Sequence, residues 1–231
     1  MSILLLDAFR NTFAGRVYKH RVSTVGDLIA SFLFEDLLDL ARSPKYLARV
    51  RQDTIGVNAG NRIKGKTGRR GDGTLGEFVP SAATRVVPGY SVKRGPVATL
   101  EIGTEMKIVA TKMLAQIDRV ITDLNNQAEV FRRLSPDAIR IAIVGVNFAE
   151  QYTGREGRRA FQAKTPPARE APEIVRRINE LVRPHFDELL LLKFKATNRP
   201  PYPFAWLDEE EAVLEYQSIL VRVSTRYEKQ F

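Results

Sequence analysis

The sequence predicts an α/β protein in which a mixed sheet is flanked by helices. Residues 97–109 alternate between apolar and polar side chains, which is typical of a strand with one buried face. Residues 139–146 form a nearly continuous apolar run, as expected for a strand covered on both faces. An amphipathic helix pattern over 111–134 lies between them, and this order favours a sheet covered by helices. With 231 residues and no internal repeat, we treat 1–231 as a single domain.

The elements before this unit begin with a helix over 24–43. Its apolar residues recur at helical spacing, Thr24 can cap its first turn, and Pro44 should end it. The stretch 45–70 holds eight lysines or arginines against one acid and is rich in glycine. Such a stretch can bring cations and backbone amides close to phosphate groups, or it can be a flexible solvated loop. Residues 73–96 follow it as a possible hairpin.

The strand over 97–109 separates its side chains into two faces of opposite character. One face is apolar apart from Thr104 and carries Ala98, Leu100, Ile102, Met106 and Ile108. The other face carries Thr99, Glu101, Gly103, Glu105 and Lys107. Residues two apart in a strand project to the same side, so an acid and a lysine stand together on a strand whose opposite face is apolar.

The last third of the chain adds further helices and a strand. The central helix should end at Ser135-Pro136. We then expect a helix over 171–183, a strand over 188–195 and a helix over 208–228. A loop rich in proline and aromatic residues lies between the last two. We treat the residues after 147 as additions to the central unit.

The composition restricts both the partners and the chemistry. The chain holds 36 lysines and arginines against 27 aspartates and glutamates, and its net charge is +9. Such a surplus favours a polyanionic partner, because cationic side chains release the counterions condensed on a phosphate backbone. Without any cysteine, the chain has no disulfide, thiol catalyst or cysteine-based zinc site. Its two histidines, His20 and His185, are far apart, so a metal site must rest on carboxylates, which favours Mg²⁺ or Mn²⁺.

The apolar segments also bear on the location of the protein. No apolar run reaches the roughly 18 residues that a membrane-spanning helix needs. The run at residues 3–6 is far shorter than the apolar region of a signal peptide. We therefore expect a cytoplasmic protein that does not bind a membrane.

The most informative motif is Glu105-Met106-Lys107, inside the alternating strand. A glycine-bracketed acid, Asp72, lies upstream at the start of the possible hairpin, and Glu77 is the competing first acid. Two carboxylates from adjacent strands can hold one hard cation. The lysine can then orient a water molecule and offset the negative charge that develops on a phosphate group.

This arrangement resembles the PD-(D/E)XK nuclease superfamily. The resemblance rests on Asp72, on Glu105-x-Lys107 in a later strand, and on the helix and apolar strand that follow. It covers residues 24–147 and implies a restriction-endonuclease-like α-β-β-β-α-β core that hydrolyses phosphodiester bonds with Mg²⁺, which Mn²⁺ can replace. One departure is that Asp72 follows a glycine, whereas the first acid of the superfamily follows a proline.

The resemblance also implies ligands for the cation. Asp72, Glu105 and the backbone carbonyl of Met106 would hold the metal, with Lys107 beside them. Glu101 shares the active face of the strand and is either a second ligand or a partner for Lys107.

Many members of the superfamily add an acid from the first helix. In the helix over 24–43, Asp36 falls among the apolar residues and Glu35 falls on the edge of that face. An unpaired buried carboxylate is costly, so Asp36 should have a cation nearby, either in the site or in a salt bridge.

Similarity to type II restriction endonucleases implies double-stranded DNA as the substrate. It also implies a homodimer, because two-fold symmetry matches cuts on two antiparallel strands. Residues 148–231 would serve DNA recognition or dimer contact. The candidate nucleic-acid contacts are Arg62, Lys64, Lys66, Arg69, Arg70, Gln116, Arg155, Arg158 and Arg159.

Two other functions stay open at this point. A nucleic-acid-binding protein without enzymatic activity explains the basic stretch equally well, but it does not explain why acids and a lysine should converge. A repair or resolvase-type nuclease on the same fold explains both features.

Overall fold

The computed structural model describes residues 3–19, 24–60, 63, 71–156 and 159–231. Its helices are α1 (Leu4–Phe13), α2 (Thr24–Leu40), α3 (Pro44–Arg51), α4 (Met113–Leu134), α5 (Pro167–Leu181) and α6 (Glu209–Gln230), with a short 3-10 helix at Arg183–His185. Its strands are β1 (Ile55–Asn58), β2 (Gly73–Glu77), β3 (Arg94–Gly95), β4 (Ile102–Val109), β5 (Ile139–Asn147), β6 (Thr153–Glu156), β7 (Arg159–Gln162), β8 (Glu188–Ala196) and β9 (Phe204–Trp206). Within these ranges, no helix combines the length and the apolar character needed to cross a membrane.

A mixed seven-stranded sheet forms the centre of the fold, in the order β3-β1-β2-β4-β5-β8-β9. The neighbours β1, β2 and β4 are antiparallel, whereas β4, β5 and β8 run parallel. The short strands β3 and β9 form the two edges, the first parallel to β1 and the second antiparallel to β8. The prediction of an α/β protein with a mixed sheet and flanking helices is therefore confirmed.

Helices cover both faces of the sheet, as the apolar run in β5 predicts. Ile141 and Ile143 belong to a core cluster that includes residues of α1, α2 and α6. Ala142 and Val144 belong to a second cluster with α4 and α5. β4 follows the same division, with Met106 in the first cluster. The alternation of β4 thus directs its polar face toward α4.

A half-buried acid, Asp187, ties the sheet to the last helix. Asp187, directly before β8, accepts hydrogen bonds from the guanidinium of Arg140 in β5 at 2.9 and 3.1 Å and from Arg226 in α6 at 2.7 Å. Burial alone would raise the pKa of Asp187, but the hydrogen bonds and the positive charge of Arg140, together with the charge of Arg226, hold it below the usual value. The ionised carboxylate therefore stabilises the fold.

The chain around Pro44 differs from the prediction of one helix over 24–43. α2 ends at Leu40, and Pro44 begins a second helix instead of ending the first. Proline is favoured in the first turn of a helix, where its missing N–H has no partner to lose. Ser43 caps this helix by accepting a hydrogen bond from a backbone N–H of its first turn. Part of the basic stretch 45–70 is thus the ordered helix α3, followed by the buried strand β1.

The connection between β2 and β4 also differs from the prediction. Residues 73–96 do not form a hairpin, because β2 pairs with β1 on one side and with β4 on the other. The partner β1 has only four residues, too few to show an alternating pattern in the sequence. The strand expected over 97–109 is regular from Ile102 onward.

The C-terminal elements lie close to their predicted positions. α5, β8 and α6 begin and end within four residues of the expected bounds. Between β5 and α5, however, β6 and β7 form a separate two-stranded sheet that the sequence pattern did not indicate. This small sheet is called the β6–β7 hairpin below.

Candidate active site

The candidate site lies where β2 begins beside β4. The two strands pair with Gly73 opposite Thr104, so the preceding residue, Asp72, stands opposite Glu105. The backbone N–H of Asp72 donates to the carbonyl of Thr104 at 3.0 Å. The Oδ2 atom of Asp72 accepts a hydrogen bond from the backbone N–H of Met106 at 2.8 Å. The first acid is therefore attached directly to β4, at the middle residue of the acid–x–lysine motif.

Glu105 and Lys107 project from the face of β4 that is turned toward α4. On this face, Gly103 is so close to α4 that a Cβ atom there would lie 3.0 Å from the ring of Phe131. The Nζ atom of Lys107 donates to Oε1 of Glu105. The side chain of Glu105 is 10% exposed and that of Lys107 is 28% exposed. The pair is therefore largely shielded from water but can still be reached from outside.

The surrounding acids hold Lys107 in its cationic form. Burial alone would lower the pKa of Lys107, but the Glu105 carboxylate raises it, with smaller contributions from Asp72 and Asp123, and the net effect is a rise. Asp72, Glu105 and Lys107 thus interact as one cluster, with Asp123 of α4 at its border. Sequence reasoning missed Asp123, because helical spacing does not indicate which exposed acid of α4 lies nearest to β4.

Three glycines permit the close approach of backbone segments around Asp72. Gly71 has a φ of +72°, and a Cβ atom at Gly73 would lie 2.3 Å from Oγ1 of Thr104. Gly26, in the first turn of α2, faces the acid directly, since a Cβ atom there would lie 2.6 Å from Cγ of Asp72. Sequence reasoning missed this contact, because a lone glycine at a helix start does not indicate its neighbour.

Asp36 and Glu35 lie outside this cluster, contrary to the expectation that one of them joins the acid–x–lysine motif. The fully buried carboxylate of Asp36 accepts hydrogen bonds from the backbone N–H groups of Leu4 and Leu5 at 2.9 and 3.0 Å. The hydroxyl of Tyr216 donates to the same carboxylate at 2.6 Å. These partners belong to α1 and α6, which cover the opposite face of the sheet. Glu35 accepts two backbone N–H groups of the β2–β4 connection, each at 2.9 Å.

Glu101 and Glu77 belong to a second cluster, at the other end of β2 and β4. Arg49 of α3 donates to both carboxylate oxygens of Glu101 at 3.0 and 2.8 Å, and to Glu77 at 2.9 Å. Burial raises the pKa of Glu101, and the hydrogen bonds from Tyr227 and Arg49 offset part of that rise. Glu101 precedes the motif acid by four residues, about 13 Å along an extended strand. It is therefore a partner of Arg49 and not of the motif lysine.

The structure describes some of the candidate nucleic-acid contacts, and the others lie outside the described residues. Arg155 and Arg159 lie on the β6–β7 hairpin, and Gln116 is exposed in the first turn of α4. Lys112, which sequence reasoning missed, directly precedes α4, and its Nζ atom lies 4.6 Å from the ring centroid of Phe161 in β7. The remaining candidates lie outside the described residues: Arg62, Lys64, Lys66, Arg69, Arg70 and Arg158.

The oxygen donors of this cluster suit a hard divalent cation. Asp72 and Glu105 contribute carboxylates from adjacent strands, and the ion pair with Lys107 shows that a positive charge is stabilised here. Among the residues that the structure describes, no three His, Cys, Asp or Glu side chains gather as a metal-ligand group. Two carboxylates are nevertheless enough for Mg²⁺, which keeps several waters and is commonly held by one or two carboxylates together with substrate phosphates.

Neither a scan against protein-family models nor a search of the curated proteins gives a match for this chain. Its function must therefore be inferred from the residues of the candidate site and from their geometry.

Proposed function

We propose that the chain is a Mg²⁺-dependent DNA endonuclease whose chemical centre is Asp72, Glu105 and Lys107. The observation that carries the proposal is the hydrogen bond between the Asp72 carboxylate and the backbone N–H at the centre of the Glu105-x-Lys107 motif. Through it, two acids from adjacent strands and one lysine meet at a single point. Phosphodiester hydrolysis by the PD-(D/E)XK mechanism requires two acids and a lysine placed together in this way.

The order of the elements supports a restriction-endonuclease-like core over residues 24–147. α2, β1, β2, β4, α4 and β5 follow one another as α-β-β-β-α-β, with α3 and β3 as insertions. The first three strands of this series are antiparallel, and the fourth is parallel to the third. In this proposal the elements after residue 147 are additions that contact DNA or a second copy of the chain.

Each residue of the centre has a separate task. Asp72, Glu105 and the backbone carbonyl of Met106 would hold the cation. Bound Mg²⁺, or Mn²⁺ in its place, supplies a Lewis acid that lowers the pKa of a water molecule and polarises a phosphate oxygen. Lys107 is cationic and partly exposed, so it can donate to the phosphate or to the attacking water and offset the developing negative charge.

Duplex DNA is the substrate that the charge of the chain favours. The net charge of +9 fits a phosphate backbone, and a homodimer would present two centres to two antiparallel strands. A nucleic-acid-binding protein without enzymatic activity would share the charge, but it would not need two acids and a lysine at one point.

Cleavage of supercoiled plasmid tests the proposal directly. The wild-type protein should cut in Mg²⁺ or Mn²⁺, and it should bind without cutting in Ca²⁺ or in excess EDTA. Discrete fragments from a long DNA would indicate a site-specific enzyme, and a smear would indicate general digestion. Full activity in excess EDTA would contradict the proposal.

Lys107→Ala tests the centre itself. We expect cleavage to fall by about 100-fold or more, because a preorganised donor to the developing charge is lost. DNA binding in Ca²⁺ should change little. Lys195→Ala, at an exposed position of β8, is the matched control and should cut like the wild type. Cleavage by Lys107→Ala at the wild-type rate would remove Lys107 from the centre.

A further inference from the structure

The β6–β7 hairpin lies beyond the C-terminal ends of the parallel strands β4 and β5. Its strands have four residues each, about 13 Å in length, and five residues separate it from the end of β5. In the part of the chain that the structure describes, neither β6 nor β7 pairs with a strand of the main sheet. A two-stranded ribbon of this kind fits the major groove of DNA, which is about 12 Å wide and 8.5 Å deep. The hairpin is therefore long enough to reach base edges.

The base of the hairpin is firmly anchored to the turn that follows β8. Asn198 donates to the carbonyl of Thr153 at 2.8 Å, and Nε of Arg199 donates to the Thr153 hydroxyl at 2.7 Å. The backbone N–H of Thr153 also donates to the carbonyl of Thr197 at 2.9 Å. Tyr152, directly before the hairpin, is fully buried. The hairpin thus projects from a fixed base, as a recognition element requires.

The two faces of the hairpin differ in what they contact. On one face, Phe161 lies across Gly154, where a Cβ atom would be 2.3 Å from the ring, and the ring also receives Lys112. This face is turned toward the start of α4. The register Arg155 opposite Ala160 places these two residues on the other face, which also carries Gln162. Ala160 and Gln162 are exposed.

The two arginines that the structure describes on the hairpin, Arg155 and Arg159, have no acidic partner among the described residues. Within the described ranges, no carboxylate forms an ion pair with the half-buried Arg155 or the exposed Arg159, and the buried Nε atom of Arg155 has no hydrogen-bond acceptor. Farther along the chain, by contrast, Arg176 and Arg177 of α5 are paired with acids. A guanidinium group that no described carboxylate pairs with can bind a negatively charged or hydrogen-bonding ligand.

We infer that the face of the β6–β7 hairpin formed by Arg155, Ala160 and Gln162 contacts base edges in the major groove of the DNA, an assignment that rests on the proposed function. The side-chain types match the groups displayed there: arginine suits guanine, glutamine suits adenine, and alanine packs against the thymine methyl group.

The distance between the hairpin and the proposed centre suits contact with one DNA molecule. Lys112 contacts the hairpin and follows Lys107 by five residues, a separation of at most about 18 Å between Cα atoms. One turn of the double helix is about 34 Å long. The hairpin can therefore occupy a groove within one turn of the scissile phosphate.

Selection from a DNA pool tests the inference without any need for cleavage. Duplexes with a randomised stretch are retained by the wild-type protein in Ca²⁺ and sequenced, and the selection is repeated with Gln162→Ala, Arg155→Lys and Arg155→Ala. We expect the wild type to select a sequence. Each variant should lose its preference at one base-pair position, by roughly 5- to 150-fold, the range of a bidentate base contact. Arg155→Lys keeps the charge and removes the guanidinium fork, so it should relax the preference as Arg155→Ala does.

Arg169→Ala is the control, because it removes one exposed cation from α5, outside the hairpin. It should weaken binding to all sequences alike. A wild-type protein that selects no sequence, or variants that keep its preference at every position, would overturn the inference. If selection depends on the hairpin but no cutting occurs in Mg²⁺, the inference holds and only the proposed nuclease function fails.

Discussion

Gly26→Ala is the change that most directly tests whether Asp72 is at the chemical centre. The substitution adds one methyl group in the first turn of α2, far along the chain from the acid–x–lysine motif. Its Cβ atom would lie 2.6 Å from Cγ of Asp72, and 2.7 and 2.9 Å from the two carboxylate oxygens. Carbon atoms in contact are ordinarily about 3.5–4.0 Å apart, so the carboxylate must move by about 1 Å.

We expect Gly26→Ala to lower the cleavage rate strongly and to change the stability little. A displacement of about 1 Å at a reacting group can cost about 100-fold in rate, and we expect a loss of that size. Alanine is better than glycine inside a helix by about 0.5–1 kcal/mol, which opposes the strain of the new contact. The melting temperature should therefore stay within about 4 °C of the wild-type value.

The assay is the initial rate of plasmid cleavage in saturating Mg²⁺, measured alongside thermal unfolding. Ser31→Ala is the control in the same helix, because the Ser31 hydroxyl donates to a carbonyl of α2 itself at 2.6 Å. The double variant with Asp72→Asn should be no slower than Asp72→Asn alone, since both changes act through one carboxylate. Wild-type cleavage by a folded Gly26→Ala protein would refute the placement of Asp72 at the centre.

The remaining predictions concern four acids and one control. Asp72→Asn should lose cleavage by orders of magnitude at unchanged stability, whereas Glu77→Gln, in the other cluster, should cut nearly like the wild type; the reverse result would mean that the first acid is misassigned. Asp36→Ala should lower the free energy of unfolding by about 3–5 kcal/mol in urea titrations, because it leaves buried donors without an acceptor. Asp118→Ala, which removes the ion pair of the exposed Asp118 with Arg177, should lower the free energy of unfolding by less than about 1 kcal/mol, and equal losses in Asp36→Ala and Asp118→Ala would contradict the prediction. Because the pKa of Asp187 is lower in the folded protein than in the unfolded one, its contribution is present above about pH 4 and lost as the pH falls further. Asp187→Asn should accordingly flatten the acid limb of a stability–pH curve, and an unchanged limb would argue against it.

The sequence could predict those features of the site that follow from a regular spacing of residues along one strand or helix. A strand alternates every second residue, so the common face of Glu105 and Lys107 follows from spacing alone. The apolar run of β5 likewise indicates burial on both faces. The choice of Asp72 over Glu77 depends on the register of β2 against β4, which no local pattern encodes.

The sequence-based predictions are wrong where a segment far along the chain supplies the partners of a residue. Helical spacing correctly predicts that Asp36 is buried, but it cannot reveal that the start of α1 supplies its partners. The alternation of the strand places Glu101 on the motif face, yet Arg49 from α3 binds it. The β6–β7 hairpin has polar, glycine-containing strands with no apolar stripe, so hydrophobic patterning does not detect it.

The hydrogen bond from Met106 to Asp72 has a practical consequence. At this point a side-chain oxygen takes the place that a backbone carbonyl would have if β2 extended further, so the amide proton of Met106 depends on one carboxylate. Its hydrogen-exchange rate and amide chemical shift can therefore be followed by NMR as a local probe of the first acid, without DNA and without turnover. In Gly26→Ala or Asp72→Ala, faster exchange at this amide alone, with its neighbours in β4 still protected, would separate a displaced carboxylate from a loosened strand.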